Sequence, residues 1–391
     1  MEKINVLVLD VPFHEGMAGT KRVKNLMLPL YKSQQITISN LAIIDISEKD
    51  RIGENGTIDG IKYRYVGYSS FVNLFSVIKF YRQGIRFIRK NLRSQSKNVI
   101  YYYGYPDLKN LLFILYAKFK NCKVIFDIVE DNRHQQNFHG IAGKIRNNTA
   151  LFLVKQIPHF GDAIVVISNP LEKWLNAMYL NKIAVYNIPI TVDIKKFENP
   201  EAPVSKENGI SIFYGGSFAP KDGLEYLLKA FDKVCTTYSN LKLILTGVGQ
   251  APDMELFFDM VKHNEKVDYR GFLSTDLYYE ALKSSDICCM TRNNSLYANA
   301  GFPFKLGEFL AAGKAIIATN VGDVPLYLEN NRNALLISPE STDEIVNALI
   351  LCIENKNELR QKLGAEARKT ALEYFDDAVL SKKLFDIFES V

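Results

Sequence analysis

The sequence predicts an α/β fold made of two parallel-sheet domains. Its 391 residues exceed what one hydrophobic core usually organises. Short apolar runs alternate with helical segments in both halves of the chain, a pattern typical of strands covered by helices. A polar, proline-bearing stretch over residues 192–203 separates the two series. We therefore expect one domain over residues 1–197 and a second over residues 198–374.

Composition excludes several classes of protein. An apolar share of 47% is ample for packed cores, and the net charge of +5 does not by itself indicate a nucleic-acid partner, so none is expected. No apolar run approaches the roughly 20 residues that span a bilayer, so we expect a cytoplasmic protein whose membrane contact is peripheral. The cysteines show no paired spacing and are expected to be buried thiols in a reducing compartment: Cys122, Cys235, Cys288, Cys289 and Cys352.

In the first half, two candidates follow expected strands. Gly19 lies in a glycine-bearing loop after the strand at residues 4–9, where it lets backbone approach a ligand or is a simple turn glycine. Glu130 follows the strand at 123–128, and ligands of parallel sheets bind at the carboxyl ends of strands. Alternatively, Glu130 caps the next helix. Further strands are expected at residues 36–46, 61–66, 98–103, 163–168 and 185–190.

Residues 71–97 form one long amphipathic segment without acidic residues. It interleaves aromatic and aliphatic side chains with seven basic ones: Lys79, Arg82, Arg86, Arg89, Lys90, Arg93 and Lys97. Such a face suits docking on the anionic lipids of the inner face of a plasma membrane. The alternative is an ordinary surface helix whose basic face is solvated.

In the second half, glycine-bearing turns follow successive expected strands. Gly215-Gly216 follows the strand at 210–214, Gly247-Val248-Gly249 follows the strand at 241–246, and Gly301 follows the strand at 287–290. Such turns let backbone N–H groups approach a phosphate. Lys221, in the first turn, is a point charge suited to a diphosphate. Together these features indicate a nucleotide diphosphate.

Residues 301–319 are expected to form a loop, a short helix, a glycine turn and a buried strand. Pro303 suits the first turn of that helix, and Gly313 suits its end. One turn apart, Lys305 and Glu308 share a face, where they suit a ligand with phosphates and hydroxyls, such as a ribose. The alternative is an exposed ion pair between them. The sequence contains no metal-binding motif, so we expect no cofactor and no metal.

Four of these motifs occur in an order and spacing that resembles the GT-B, family 4 type of glycosyltransferase (glycosyl transferases group 1). They are Tyr214-Gly215-Gly216-Ser217-Phe218-Ala219-Pro220-Lys221-Asp222-Gly223-Leu224, Leu245-Thr246-Gly247-Val248-Gly249, Val267-Asp268-Tyr269-Arg270-Gly271, and Phe302-Pro303-Phe304-Lys305-Leu306-Gly307-Glu308 with Gly313-Lys314-Ala315-Ile316. The resemblance implies two Rossmann-like domains facing each other across a cleft, the first for the acceptor and the second for the donor. It also implies that a helix over residues 375–391 returns to the first domain.

The activity that this resemblance implies is retaining transfer of a sugar from a nucleotide-diphosphate sugar. The acceptor would be a saccharide or a lipid-linked saccharide in the synthesis of surface polysaccharide or glycoconjugate. We expect the catalytic residues to be Glu130, which would orient the acceptor, Lys221 and Lys305. The implied donor-binding residues are Gly19, Gly215, Gly216, Ser217, Lys221, Gly247, Gly301, Phe302, Pro303, Phe304, Lys305 and Glu308.

The sequence departs from this family at three places. Ala300 stands near the position of the family's first motif glutamate, Ser217 replaces an arginine that commonly follows the glycine pair, and Val129 stands where many members carry a histidine. A nucleotide-sugar epimerase of the same fold and a non-catalytic glycosyltransferase-like subunit are the alternatives, and Ala300 favours the second.

Overall fold

The computed structural model describes residues 3–14, 16–44, 46–67, 74–135, 140–198 and 209–391. These divide into two compact units, Met1–Ile188 with Ala378–Val391, and Pro189–Asp377. The segment 189–198 therefore belongs to the second unit, although the sequence placed the boundary after residue 197. Its apolar side chains account for this, because Phe197 packs on Tyr279 with ring centroids 5.1 Å apart. Residues 199–203 of the expected linker lie outside the described residues.

The first unit is an eight-stranded sheet covered by helices. In chain order its elements are β1 (Lys3–Leu9), α1 (Ala18–Lys32), β2 (Ile36–Ile43), β3 (Asn55–Ile58), β4 (Ile61–Val66), α2 (Leu74–Asn91), β5 (Ser96–Tyr103), α3 (Leu108–Phe119), β6 (Lys123–Ile128), α4 (Gly140–Gln156), β7 (Ala163–Val166), α5 (Asn169–Tyr179) and β8 (Ala184–Asn187). The strand order is β3-β4-β2-β1-β5-β6-β7-β8. Every pairing is parallel except that of β3 with β4, which the sequence did not predict.

The second unit is a six-stranded sheet. Its elements are β9 (Ile210–Gly215), α6 (Leu224–Cys235), β10 (Leu241–Thr246), α7 (Ala251–Val261), β11 (Val267–Tyr269), α8 (Thr275–Lys283), β12 (Ile287–Met290), α9 (Leu296–Ala300), α10 (Phe304–Ala311), β13 (Ala315–Thr319), α11 (Val324–Tyr327), β14 (Leu335–Ile337), α12 (Thr342–Glu354) and α13 (Lys356–Tyr374). All pairings are parallel, in the order β11-β10-β9-β12-β13-β14. The predicted α/β class with two parallel-sheet domains is thus confirmed.

The last helix, α14 (Asp377–Ser390), belongs almost entirely to the first unit. Its buried residues Leu380, Leu384, Ile387 and Phe388 join the core formed by β1 and α1. Lys97 donates hydrogen bonds to the carbonyl oxygens of residues 388 and 389 (3.2 and 2.8 Å), near the end of this helix. A cation suits that position because unpaired carbonyl groups leave partial negative charge there.

A buried ion pair holds α1 against the first sheet. Arg22 donates to both carboxylate oxygens of Asp127 on β6 (2.7 and 3.0 Å) and to the carbonyl of Ile188 (2.9 Å). The Tyr101 hydroxyl also donates to Asp127 (2.7 Å). These hydrogen bonds offset the cost of removing both charges from water. The pair fixes the start of α1 beside the carboxyl end of the sheet.

Candidate functional site

Two glycine turns meet at the carboxyl edge of the second sheet. Strand order reverses between β9 and β12, and ligands of open parallel sheets bind at such a reversal. Gly216 follows β9, and Gly247 follows β10. A Cβ atom on Gly247, which has φ +133°, would lie 1.7 Å from the Gly216 carbonyl oxygen. Glycine is therefore required for these two turns to pack together.

Lys305, in the first turn of α10, extends toward the Gly216 turn. Its side chain is only 11% exposed, and its Nζ lies 3.7 Å from Oδ1 of Asp222. The same Nζ lies 4.1 Å from the centroid of the Tyr214 ring. A Cβ atom on Gly216 would come within 2.6 Å of it. The alternative of an exposed Lys305–Glu308 ion pair is therefore wrong, because burial directs this lysine to Asp222.

Arg292 is a second cation at the same carboxylate, and the sequence did not predict it. It follows β12 by two residues, and its side chain is 9% exposed, with Nε 3.7 Å from Oδ1 of Asp222. Its Nη1 donates to the carbonyl oxygens of Ala298 (3.1 Å) and Gly301 (3.4 Å), at the end of α9. Within the described part of the chain, its buried Nε has no hydrogen-bond partner.

Lys221 and Ser217 complete this cluster. The Nζ of Lys221 lies 4.6 Å from the centroid of the Tyr297 ring, and the Lys221 carbonyl accepts a hydrogen bond from the Asn293 amide (3.0 Å). The exposed Ser217 donates a hydrogen bond from its hydroxyl to Oδ2 of Asp222. The structure thus brings together the predicted Lys221, Lys305, Gly216 and Ser217.

Electrostatics in this cluster are set by burial and by the surplus of cations. Burial alone would raise the pKa of Asp222, but Lys305, Arg292 and the Ser217 hydroxyl hold it below its ordinary value. Burial lowers the pKa of Lys305, and Asp222 offsets part of that shift. Three basic side chains therefore surround one carboxylate, which favours the approach of an anion.

Glu308 lies in α10 and is buried, and its hydrogen-bond partners are tyrosines, not the lysines of this cluster. It accepts a hydrogen bond from the Tyr279 hydroxyl (3.2 Å), and Tyr278 is also hydrogen-bonded to it. Its carboxylate raises the pKa of both tyrosines further, after burial, which is the larger cause. The two tyrosines orient the carboxylate that the sequence assigned to a ribose.

The segment from Gly301 to Phe304 leads into α10. Gly301 ends α9 and accepts from Arg292 through its carbonyl. Phe302 is buried, with its ring against Tyr327 and Phe375 (centroids 5.4 and 5.8 Å apart). Pro303 is the N-cap of α10, one residue before the predicted first turn, and Phe304 begins the helix. Of these four, Phe302 is a core residue by its side chain and is available to a ligand only through its backbone.

In the first unit, Glu130 lies two residues beyond β6, as predicted, and is half-buried. Its carbonyl accepts a hydrogen bond from the Tyr105 hydroxyl (3.0 Å). The described residues 131–135 that follow it are not helical, so Glu130 does not cap α4. Its neighbour Asp131 is occupied by Arg133, with contacts of 2.6 and 2.8 Å.

Gly19 is the second residue of α1, whereas the sequence placed it in the preceding loop. A Cβ atom here would lie 2.7 Å from Cε1 of Tyr103. A glycine is therefore needed here for the close approach of an aromatic ring and not for a turn.

Asp10, which the sequence did not single out, lies directly after β1, where strand order also reverses, between β1 and β5. Its φ of +69° is unusual for a residue with a side chain. The Tyr102 hydroxyl donates to its carboxylate (3.2 Å). Burial and the nearby charge of Asp107 raise its pKa to about 7.

Comparisons with known proteins agree with this geometry. Residues 195–370 match the family described as Glycosyl transferases group 1. A glycosyltransferase of Methanocaldococcus jannaschii is 26% identical over 291 residues, covering 71% of each chain. The phosphatidyl-myo-inositol mannosyltransferase of Mycolicibacterium smegmatis is 24% identical over 232 residues, covering 58% of this chain and 57% of its own. The Anabaena protein HepE, solved in complex with UDP-glucose, superposes with a TM-score of 0.70 at 14% identity, covering 99% of this chain and 100% of its own.

The chain has the GT-B fold, and its residues 195–370 resemble the group 1 glycosyltransferases. The matched residues span all six strands of the second sheet, including both glycine turns and the Asp222 cluster. In the part of the chain that the structure describes, no group of three or more His, Cys, Asp or Glu residues could hold a metal ion. No helix among the described residues is long and apolar enough to cross a membrane. Cysteines in the described ranges are free, and four of the five are buried, with Cys235 half-buried.

The surface of α2 is basic and partly apolar. Arg82, Arg86 and Arg89 are exposed and spaced four and three residues apart, so they share one face. At the start of α2, Leu74 and Phe75 are 69% and 85% exposed. Lys97 does not belong to this surface, because it lies on β5 and binds the end of α14. Residues 71–73 of the predicted segment lie outside the described residues.

Proposed function

We propose that this protein is a glycosyltransferase that takes a nucleotide-diphosphate sugar as its donor and transfers the sugar with retention of configuration. The observation that carries this proposal is the cluster of Lys221 and Lys305 beside the Gly216 turn, at the reversal of strand order. Cations beside a backbone turn are the usual means of binding phosphates. The complex of HepE with UDP-glucose, a protein of the same fold, supports a nucleotide sugar as ligand.

Departure of a nucleoside diphosphate builds negative charge on its outer phosphate. Lys305 is suited to stabilise that charge because it is buried, and a charge interaction is stronger where water is excluded. Lys221 is half-buried and serves as the second cation. Glu308, oriented by Tyr278 and Tyr279, is the proposed acceptor of hydrogen bonds from the ribose hydroxyls. No metal is required by this arrangement of lysines.

For the chemical step, we propose front-face transfer. The acceptor hydroxyl attacks the anomeric carbon on the side from which the diphosphate departs, and a phosphate oxygen takes the hydroxyl proton. The new C–O bond thus replaces the old one with its configuration retained. Glu130 is the proposed residue that orients the acceptor, since it lies at the carboxyl edge of the first sheet.

The donor site is tested with Lys221→Ala and Glu308→Gln, using Lys229→Ala as the control. Lys229 is also a lysine of the second unit, but it is exposed on α6, where its Nζ pairs with Glu225 and lies 5.6 Å from the centroid of the Tyr226 ring. We expect the two site variants to weaken binding of the donor nucleotide by about tenfold or more, since each removes a charge-assisted contact. Intact turnover and donor affinity in both variants would refute the assignment.

Transfer is distinguished from the alternative activities by product release. A transferase releases free nucleoside diphosphate only when an acceptor is present, whereas an epimerase converts the nucleotide sugar without one. A non-catalytic subunit does neither. Screening UDP-, GDP- and ADP-sugars by thermal shift first identifies the donor, because a bound ligand stabilises the folded state. Analysis of the product's anomeric configuration then tests retention.

For the acceptor, we propose a lipid-linked saccharide of surface polysaccharide or glycoconjugate synthesis, reached by peripheral contact with anionic membrane. The exposed arginines of α2 and the exposed Leu74 and Phe75 support this. The similar M. smegmatis enzyme is named as acting on phosphatidyl-myo-inositol, which is itself a lipid.

The membrane proposal is tested by sedimentation with vesicles containing one quarter phosphatidylglycerol. Replacing Arg82, Arg86, Arg89 and Arg93 by glutamate should abolish binding, since each basic residue near such a surface contributes about 1 kcal/mol. The control replaces four exposed lysines of the second unit and changes the net charge equally: Lys229, Lys233, Lys242 and Lys262. Equal binding by the two quadruple variants would refute a specific α2 contact.

A further inference from the structure

Arg292 occupies the place in the second sheet where a ligand is expected, yet neither motif reasoning nor the proposed donor contacts use it. It follows β12, the strand on one side of the reversal of strand order, and Gly216 follows β9 on the other side. Side chains from these two strand ends converge on Asp222, which Arg292 and Lys305 each approach to 3.7 Å. Arg292 therefore reaches from the end of β12 the same carboxylate that the predicted Lys305 reaches from α10.

The Arg292 guanidinium is held in place but not fully satisfied. Its Nη1 is fixed by the carbonyl oxygens of Ala298 and Gly301. Its Nε is buried and has no hydrogen-bond partner in the described residues, because the 3.7 Å to Asp222 is too long for a hydrogen bond. A buried donor without an acceptor is costly, and an anionic ligand oxygen would remove that cost.

The charges around Asp222 point to the same ligand. The cations that act on its carboxylate are Lys305, Arg292 and Lys221, and a single carboxylate does not neutralise three of them. Ser217 touches this carboxylate too, at the position where the sequence lacks an expected arginine. Arg292 thus brings a guanidinium to the carboxylate that the Ser217 hydroxyl contacts.

We propose that Arg292 binds the diphosphate of the donor nucleotide and supplies the guanidinium that Ser217 does not. This inference rests on the proposed use of a nucleotide sugar. It assigns to β12 a donor contact that is absent from the motifs of the sequence.

The test compares nucleotide binding by calorimetry. Wild type is titrated with UDP, GDP and ADP. The variants are then compared in their binding of the diphosphate with the highest affinity and of the corresponding nucleoside, which carries no phosphates. Arg292→Gln should weaken binding of the nucleoside diphosphate by about 10- to 100-fold, because hydrogen bonds between charged groups are stronger than those between neutral groups. Binding of the nucleoside, measured by competition, should change less than threefold. Similar losses for both ligands would overturn the proposal and make Arg292 a purely structural residue.

Complementation gives a second, independent measurement. Ser217 is exposed, so a longer side chain has room there. Ser217→Arg in the Arg292→Gln background should recover at least tenfold of the lost affinity, whereas the neutral Ser217→Gln in that background should recover none. If Arg292→Gln does not fold, Arg292→Lys is used instead. It should weaken binding of the nucleoside diphosphate at least threefold, and an unchanged affinity would overturn the proposal. Wild type that binds none of the three diphosphates would instead refute the proposed function.

Discussion

Asp222→Asn isolates the carboxylate that holds the cations of the second unit together. At 3.7 Å and an effective dielectric constant of about 20, each of its two ion pairs is worth about 4–5 kcal/mol before desolvation is counted. Removing one partner of a buried pair typically costs about 3–5 kcal/mol. Asparagine can keep the hydrogen bond with Ser217, and Lys305 can lose its proton. We therefore expect a loss of stability at the lower end of that range, about 3 kcal/mol.

That loss should lower the Tm of the second unit by about 6–12 °C, given about 2–4 °C per kcal/mol for a domain of its size. A bound diphosphate replaces the missing negative charge, so the variant should gain more stability from ligand than wild type does. A tenfold tighter Kd corresponds to about 1.4 kcal/mol of additional stabilisation at saturation.

The assay is thermal unfolding followed by fluorescence, with and without the nucleoside diphosphate that binds wild type. Asp259→Asn is the control, because Asp259 also pairs with a lysine (2.6 Å to Lys262) but on an exposed surface. Its Tm should not change measurably. An unchanged Tm for Asp222→Asn, or equal ligand-induced shifts in the variant and wild type, would refute the electrostatic role given to Asp222.

Three further outcomes are expected. Gly247→Ala should abolish nucleotide binding and destabilise the second unit, since its Cβ atom would overlap the Gly216 carbonyl; unchanged Kd and Tm would contradict this. Because burial lowers the pKa of Lys305, nucleotide affinity should begin to fall at a pH below the ordinary lysine range, and Lys305→Arg should move that fall upward in titrations across pH. Asp10, with a folded pKa of about 7 against 3.8 ordinarily, stabilises the fold while protonated; this contribution is complete below about pH 4 and is lost as pH rises to 7. The free energy of unfolding of Asp10→Asn in urea, relative to that of wild type, should therefore increase by about 2–4 kcal/mol between pH 4 and pH 8. A difference that does not depend on pH would count against the raised pKa of Asp10.

Much of the fold could be predicted because buried parallel strands are continuous apolar runs. The strands at 123–128 and 241–246 were predicted to the residue, since polar residues and turns bound both runs. Lys97 was misassigned to the basic helix because nothing local separates a helix end from the first residues of a strand. Strand β3 was missed because it lies in a polar loop and is held only by pairing with β4.

The candidate site was predictable only in part, because sequence spacing places backbone but does not choose partners. Lys305 and Glu308 share a helical face, yet one turns to Asp222 and the other to Tyr279. Asp222 lies in the loop after β9, and Tyr279 lies on α8. Both are distant from α10 along the chain, and no short motif relates them to it. The motif was therefore found, whereas the burial that lowers the pKa of its lysine and the pairing of that lysine with Asp222 were not.

The sequence also contains a weaker indication that Arg292 belongs to the site. A charged residue two positions after a fully buried apolar strand, Ile287–Met290, must either leave the sheet or meet a counter-charge at its edge. The sequence of strands also fixes where that edge lies, because β9 and β12 become neighbours only if the order reverses between them. Predicting the reversal first, and then asking which charged residues follow the two strands that flank it, selects Arg292 without any motif. The same rule applied to the first sheet selects Asp10, which follows β1 beside β5.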